Sequence, residues 1–277
     1  MRSLRGNMGD FLDLLVAAAR ENIEGKYYQY HNILGEHTQF IERRSLRDSI
    51  IKCKKAAIIS EIKFASPSSG ILRADRNVGI IARDMIEAGA VGLSVLTEPK
   101  YFSGSLEDLL QTRLSVDAPL LMKDIILSKF QIDAAYRFGA DAILLIAALF
   151  ERGYCDMGIH EMIDYSHSMG LEVLLEVHTI EEFKLALSTE ADMIGINNWD
   201  LKTLKVDINT TKNILERFRR SDIGDRPIVS ESGIKSPEDI RFLRKYGADA
   251  FLIGSSIMAA KNIRDFVASL VNAYEKS

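Results

Sequence analysis

The sequence predicts an α/β fold: a single (β/α)8 TIM barrel with an N-terminal helical extension. Three observations carry that prediction. From Ala57 onward, a short apolar, β-branched run, a loop and a segment of helical period recur eight times. The apolar runs are continuous rather than alternating, as strands covered on both faces require. Their spacing of roughly 20–35 residues is the length of one βα unit.

The eight candidate strands, in order, are Ala57 to Lys63, Val91 to Thr97, Pro119 to Lys123, Ala142 to Ile146, Glu172 to Val177, Met193 to Asn197, Ile228 to Ser230 and Ala250 to Ile253. Helical segments sit between them, among them VGIIARDMIEAGA, SKFQIDAAYRFGA, IEEFKLALSTEA and SPEDIRFLRKYGA. Three end in Gly-Ala (Gly89-Ala90, Gly139-Ala140, Gly247-Ala248), with glycine where a helix stops in a left-handed turn. Ser236-Pro237-Glu238 reads as an N-cap followed by proline at the first helical position. An open doubly wound sheet would carry a GxGxxG turn after its first strand, and FASPSSG stands there instead. Residues 1–56 are expected to form helices that cap the barrel bottom or flank its mouth, and 57–277 the barrel domain.

The 277 residues are 47% hydrophobic and 27% charged, enough to bury a sizeable core in one domain. The net charge is −4, without the basic surplus from which nucleic-acid binders draw their affinity. Two cysteines, Cys53 and Cys155, with no CxxC, exclude a disulfide framework and a cysteine-rich zinc site. The opening MRSLRGNMGDFLDLLVAAAR carries Asp10 and Asp13 within its apolar run and is read as an amphipathic helix, not a signal peptide. No run reaches the ~18 apolar residues of a membrane span. A cytoplasmic protein is expected.

In this fold the active site lies at the C-terminal ends of the strands. Charged and amide side chains gather there: Glu61 and Lys63 on the first strand, Lys123 on the third, Glu176 on the fifth, Asn197 on the sixth, and Glu231 with Ser232 after the seventh. Residues two apart share a strand face, which pairs Glu61 with Lys63. One such residue can be a solvated charge. Several on one rim can hold pKa values apart and act as acid and base. SESGI and IGSSIM place Gly233, Gly254 and Ser255 at the ends of the seventh and eighth strands, where barrels often bind phosphate on backbone N–H groups.

Other constellations are weaker. The five histidines (His31, His37, His160, His167, His178) show neither HxH nor HExxH spacing, so no metal is expected. His178 is read as a loop residue turned to the strand face opposite Glu176. Phe102 could pack on a substrate ring. No GxSxG elbow occurs.

The stretches SEIKFASPSSG, SVLTEPKYFSGS, PLLMKDII, LLEVH, IGINNWDL, VSESGI and FLIGSSIM resemble the indole-3-glycerol phosphate synthase family, in order and near its spacing, from about Ile58 to Met258. The resemblance implies ring closure of 1-(2-carboxyphenylamino)-1-deoxyribulose 5-phosphate, with loss of carbon dioxide and water and no cofactor. It implies Lys123 as the general acid at the ribulose carbonyl and Glu176 as its partner in later proton transfers. Lys63 would hold the substrate carboxylate, Glu61 would tune Lys63, and Asn197, Glu231 and Ser232 would orient the substrate. Ser66, Gly233, Gly254 and Ser255 would cradle the phosphate; Phe102, Leu144 and Trp199 complete the substrate-binding set. A crowded cationic site is expected to lower the Lys123 pKa.

Two positions depart from the family pattern. Phe64 stands where EIKR has arginine, and Trp199 where NxRDL has arginine. Both departures are read as removing positive charge from the barrel mouth, with Trp199 free to stack on a ring. They motivate an alternative: a diverged lyase of the same family acting on a modified phosphorylated amino-sugar substrate. The partner expected is a small phosphorylated molecule, with no nucleic acid and no membrane. The oligomeric state is left open, a monomer being compatible.

Overall fold

The computed structural model describes residues 10–29, 43–67 and 70–275. His31 and His37, with Ser68 and Ser69 of the ASPSSG loop, lie outside the described residues. Eight parallel strands form one closed barrel: β1 (Ala57–Ile62), β2 (Gly92–Leu96), β3 (Leu120–Lys123), β4 (Ala142–Ile146), β5 (Glu172–Val177), β6 (Met193–Asn197), β7 (Ile228–Glu231) and β8 (Ala250–Ile253). Each pairs with its neighbours in sequence, and β1 pairs with β8 to close the ring, Ala57 opposite Ala250.

β4, β5, β6 and β8 begin and end where expected, and the ends of β1, β2, β3 and β7 differ by a residue. β3 starts at Leu120 because Pro119 has no N–H to give to a ladder. β1 stops at Ile62, leaving Lys63 just beyond it, and β7 runs on through Glu231, whose residue pairs with Asn197. The helices Val78–Glu87, Lys129–Arg137 and Pro237–Lys245 each end just before a glycine in the left-handed region: Gly89 at φ 102°, Gly139 at 84° and Gly247 at 106°. Only glycine takes that conformation without a Cβ penalty, which accounts for the Gly-Ala tag. Ser236 caps its helix by accepting the Asp239 N–H, with Pro237 at the first position.

The two-residue period of each strand divides the core. Ile58, Ile62, Leu145, Val173, Leu175, Ile194 and Phe251 pack outward against the helices. Ala57, Ile59, Leu121, Leu144, Leu174, Met193, Val229 and Leu252 fill the barrel interior.

The N-terminal extension closes both ends. Helix α2 (Leu46–Lys52) plugs the bottom: Leu46 and Ile50 join the interior cluster, and the Leu46 N–H donates to Glu172, the first residue of β5, at 2.8 Å. Helix α1 (Phe11–Glu24) lies over the top, with Leu12, Leu15, Val16 and Ala19 buried on the same interior cluster. Arg152 fastens its start, 2.6 Å from Asp10 and 3.2 Å from Asp13.

Candidate active site

The same period that fills the barrel with aliphatic side chains delivers polar ones at its upper rim. Counting inward positions toward the C-terminal end of each strand gives Glu61 on β1 and Lys63 just beyond it, Lys123 on β3, Glu176 on β5, Asn197 on β6 and Glu231 on β7. The Lys63 Nζ lies 2.6 Å from Glu61 Oε2. Lys123 Nζ lies 3.1 Å from Glu176 Oε2 and 3.4 Å from Glu231 Oε2. The Asn197 amide donates to Glu176 Oε1 at 3.0 Å.

These groups open onto one cavity of about 870 Å³. Glu61, Lys63, Lys123, Glu176 and Asn197 line it. Ser66, Phe102, Leu144 and Trp199 line it too, as do Ser232, Gly233, Gly254 and Ser255. Glu231 stands one step back, against Lys123. The expected catalytic and substrate-binding residues therefore gather at one site, with Glu231 behind Lys123 rather than in the cavity wall.

Burial and mutual contact set the charges apart. Burial opposes ionisation of Glu176, but Lys123, His178 and the Asn197 amide outweigh it and hold that carboxyl below its ordinary range. Burial pushes Glu231 up to about 8; Lys123 works against that rise, and the Glu176 and Glu61 carboxylates add to it. Two carboxylates beside one lysine thus differ in proton affinity, the arrangement an acid–base pair needs. For Lys123 the expectation is reversed. Burial disfavours the ammonium, yet Glu176, Glu231 and Glu61 raise its pKa above the usual value. Carboxylates, not cations, are its neighbours, so it rests as an ammonium.

Two glycines make this crowding sterically feasible. A Cβ at Gly254 would lie 2.2 Å from Glu61 Oε2, and one at Gly195 would lie 2.1 Å from Glu231 Oε1. Each carboxylate occupies the space a side chain on the neighbouring strand would fill. Ser232 and Gly233 both have positive φ, 67° and 82°, so the chain turns sharply on leaving β7, and both residues line the cavity. Gly254 leads into a short helix, Ser255–Met258.

Three sequence readings need correction. His178 does not turn away from Glu176: its Nε2 lies 3.7 Å from Glu176 Oε1 and its Nδ1 3.7 Å from Glu182 Oε2. Residues 176 and 178 are two apart and share a face, so the alternation already contained this answer. Burial lowers the His178 pKa, but the bond to Glu182 and the nearby Glu176 raise it on balance. Phe64 is not at the mouth. It is 3% exposed in the outer core, outside the cavity lining, and the Arg76 guanidinium stacks 4.1 Å from its ring centre. Its aromatic ring therefore takes nothing from the cavity's charge. The Lys123 pKa is the third correction. Trp199 does line the cavity, with its ring 5.6 Å from that of Phe11 on α1, and Phe11 also meets Tyr101 at 5.4 Å.

The sequence reading missed other lining residues. Leu96, Ile125, Ile146 and Leu201 supply apolar wall. Leu96 and Ile146 are inward residues at the ends of β2 and β4, and the two-residue period could have found them. Leu15 reaches the wall from α1, more than 40 residues ahead of the barrel, and no local pattern announces that. Glu98 and Asp124 also line the cavity. Glu98 is buried and spends its carboxylate on the N–H groups of Lys100, Tyr101 and Phe102, which holds Phe102 at the rim. Among the described residues, no group of three or more His, Cys, Asp or Glu side chains could hold a metal ion, and no helix is long and apolar enough to cross a membrane.

The arrangement is set among known proteins by comparison. A family model described as indole-3-glycerol phosphate synthase matches residues 12–270. An indole-3-glycerol phosphate synthase of Aquifex aeolicus is 46% identical, covering 74% of this chain and 77% of that protein. One of Methanocaldococcus jannaschii is 44% identical, covering 83% and 85%, and one of Burkholderia lata is 38% identical, covering 91% and 95%. Among solved structures, a thiamine phosphate pyrophosphorylase from Pyrococcus furiosus superposes with a TM-score of 0.56 at 20% identity, over 83% of this chain and 97% of that one, a likeness of fold alone. With a family model spanning nearly the whole barrel and relatives above 30% identity over most of both chains, this chain belongs to the indole-3-glycerol phosphate synthase family.

Proposed function

We propose that this chain closes the indole ring of 1-(2-carboxyphenylamino)-1-deoxyribulose 5-phosphate, releasing carbon dioxide and water. The observation that carries the reading is the meeting of Lys63, Lys123, Glu176 and Asn197 at one cavity, with Glu231 behind Lys123. The ribulose carbonyl needs a proton as the aryl carbon attacks it. Lys123, kept as an ammonium by the acidic groups around it, Glu176 foremost, supplies that proton. Decarboxylation then leaves the new ring one dehydration short of an indole. Glu176, ionised and oriented by Asn197, takes the proton this step releases, and Lys63 helps the hydroxyl depart.

Lys63 also holds the substrate carboxylate, sharing its ammonium with Glu61. The phosphate sits on backbone N–H groups of Gly233, Gly254 and Ser255, with Ser66 beside them. Phe102, Leu144 and Trp199 give the aryl ring its apolar wall. Ser232 and Glu231 orient the ribulose chain. The same reading keeps residues 1–56 as an extension of one catalytic barrel, supported by Leu15 in the cavity wall. A cytoplasmic, cofactor-free enzyme acting on a small phosphorylated molecule belongs to it as well.

The test is incubation of the purified protein with that substrate, following the fluorescence of indole-3-glycerol phosphate. A folded protein that yields none defeats the reading. A second reading, a modified aryl substrate, is favoured by Trp199 in the cavity wall, where the family pattern has a guanidinium. Phe64, buried away from the cavity, lends it no support. Higher kcat/KM for a ring-substituted analogue than for the parent substrate, reversed by Trp199→Arg, would favour that second reading.

A further inference from the structure

Lys123 is the last residue of β3, and the residue after it, Asp124, lines the same cavity. Asp124 is buried, and both of its carboxylate oxygens are engaged. Oδ2 accepts the Tyr28 hydroxyl at 3.0 Å and the Thr97 hydroxyl at 2.5 Å, and Oδ1 accepts the Ile125 N–H at 2.7 Å. Thr97 also donates its own N–H to the Lys123 carbonyl at 3.1 Å. The carbonyl of Lys123 and the side chain that follows it are thus tied to the same threonine at the end of β2.

Tyr28 reaches this junction from the N-terminal extension, out of the short turn Tyr27–Gln29 that follows α1. It is 1% exposed. Its carbonyl accepts Arg137 Nη2 at 2.7 Å, while the neighbouring Tyr27 hydroxyl donates to the Thr97 carbonyl at 3.1 Å and accepts the Leu106 N–H at 2.9 Å. Packing alone would be served by phenylalanine. A buried hydroxyl set on a buried carboxylate must be satisfied, and when satisfied it fixes both groups in one geometry.

Resting on the ring-closure reading, we propose that Tyr28 is a positioning residue: acting through Asp124, it fixes the end of β3 and so the aim of Lys123 Nζ. The extension that covers the barrel mouth then also sets the direction of the acid. Displacement of a catalytic group by about 1 Å can cost on the order of 100-fold in rate, so a hydroxyl that never touches substrate can matter.

Tyr28→Phe keeps the ring and removes the hydroxyl. The expected result is a kcat lower by about ten-fold with KM within about two-fold of the parent. Asp124→Asn lowers kcat as well, and adding Tyr28→Phe to it costs little more, because the two act as one unit. Tyr165→Phe removes a hydroxyl bonded at 2.6 Å to Asp133, away from the cavity, and leaves kcat unchanged. A second readout needs no turnover: the 15Nζ chemical shift of Lys123 at neutral pH moves in Tyr28→Phe and in Asp124→Asn, and stays in Tyr165→Phe. If the parent protein makes no indole product, the ring-closure reading fails, and the Lys123 resonance still decides whether Tyr28 positions the amine. A Tyr28→Phe variant with an unmoved Lys123 resonance overturns the inference. So does an equal loss of kcat in Tyr165→Phe.

Discussion

The Nζ of Lys123 stands 3.1 Å from Oε2 of Glu176, so a β3 ammonium and a β5 carboxylate are in direct contact inside the barrel mouth. Their strands are separated by β4, and the contact exists only because the sheet closes and aims both residues inward. It gives the proposed chemistry its direction: one group holds a proton and the other has already lost one.

Lys123→Ala is expected to lower kcat by about 10²–10⁴, the range of a removed general acid, with the circular dichroism spectrum of the parent. Lys123→Arg should restore little, because a guanidinium does not give up its proton. Product fluorescence under substrate saturation measures both. Turnover within two-fold of the parent in Lys123→Ala would remove Lys123 from the mechanism.

Glu231 makes stability depend on pH. Its folded-state pKa is raised to about 8, so the folded form holds the proton longer than the unfolded form, whose carboxyl titrates near its ordinary value. The contribution is complete below that ordinary value and is lost as pH rises through about 8. Glu231→Gln carries no titrating proton. Its melting temperature, relative to the parent, should therefore climb between pH 5 and pH 9. A difference that stays constant across that range would contradict the raised pKa.

Gly195→Ala and Gly254→Ala place a methyl group 2.1 Å from Glu231 Oε1 and 2.2 Å from Glu61 Oε2, respectively. Each carboxylate must move, and each belongs to the contact set around the two lysines. Loss of kcat by on the order of 100-fold is expected. The methyl of Gly170→Ala, which would meet nothing within 4 Å, serves as the comparison and should retain full turnover despite its strained φ of 72°. Steady-state kinetics of the three variants decides the matter.

Phe11 and Trp199 join α1 to the loop after β6 across the cavity rim. Their rings should couple by about 1 kcal/mol in a double-alanine cycle followed by urea denaturation, the usual worth of an aromatic pair beyond its buried area. Trp199→Ala should also raise KM, because it opens the wall at that point. Additive losses of stability would mean that the rings touch without holding the helix.

The sequence by itself determined the eight strands, the glycine-ended helices between them and the ring of polar residues at their ends. These follow from local rules. A two-residue period decides which side chain points inward, and a left-handed turn selects glycine, whatever lies elsewhere in the chain. His178 belongs to the same class; its parity with Glu176 was present in the spacing. What only the tertiary structure decided depends on groups distant in sequence. The raised Lys123 and Glu231 and the lowered Glu176 come from burial and from charges at the ends of β1, β3, β5 and β7 brought together in a low-dielectric space. The withdrawal of Phe64 into the outer core under Arg76 and the arrival of Leu15 and Tyr28 from the extension are packing outcomes. Burial and Coulomb interaction act through space, and a pattern read along the chain carries no distance between its parts.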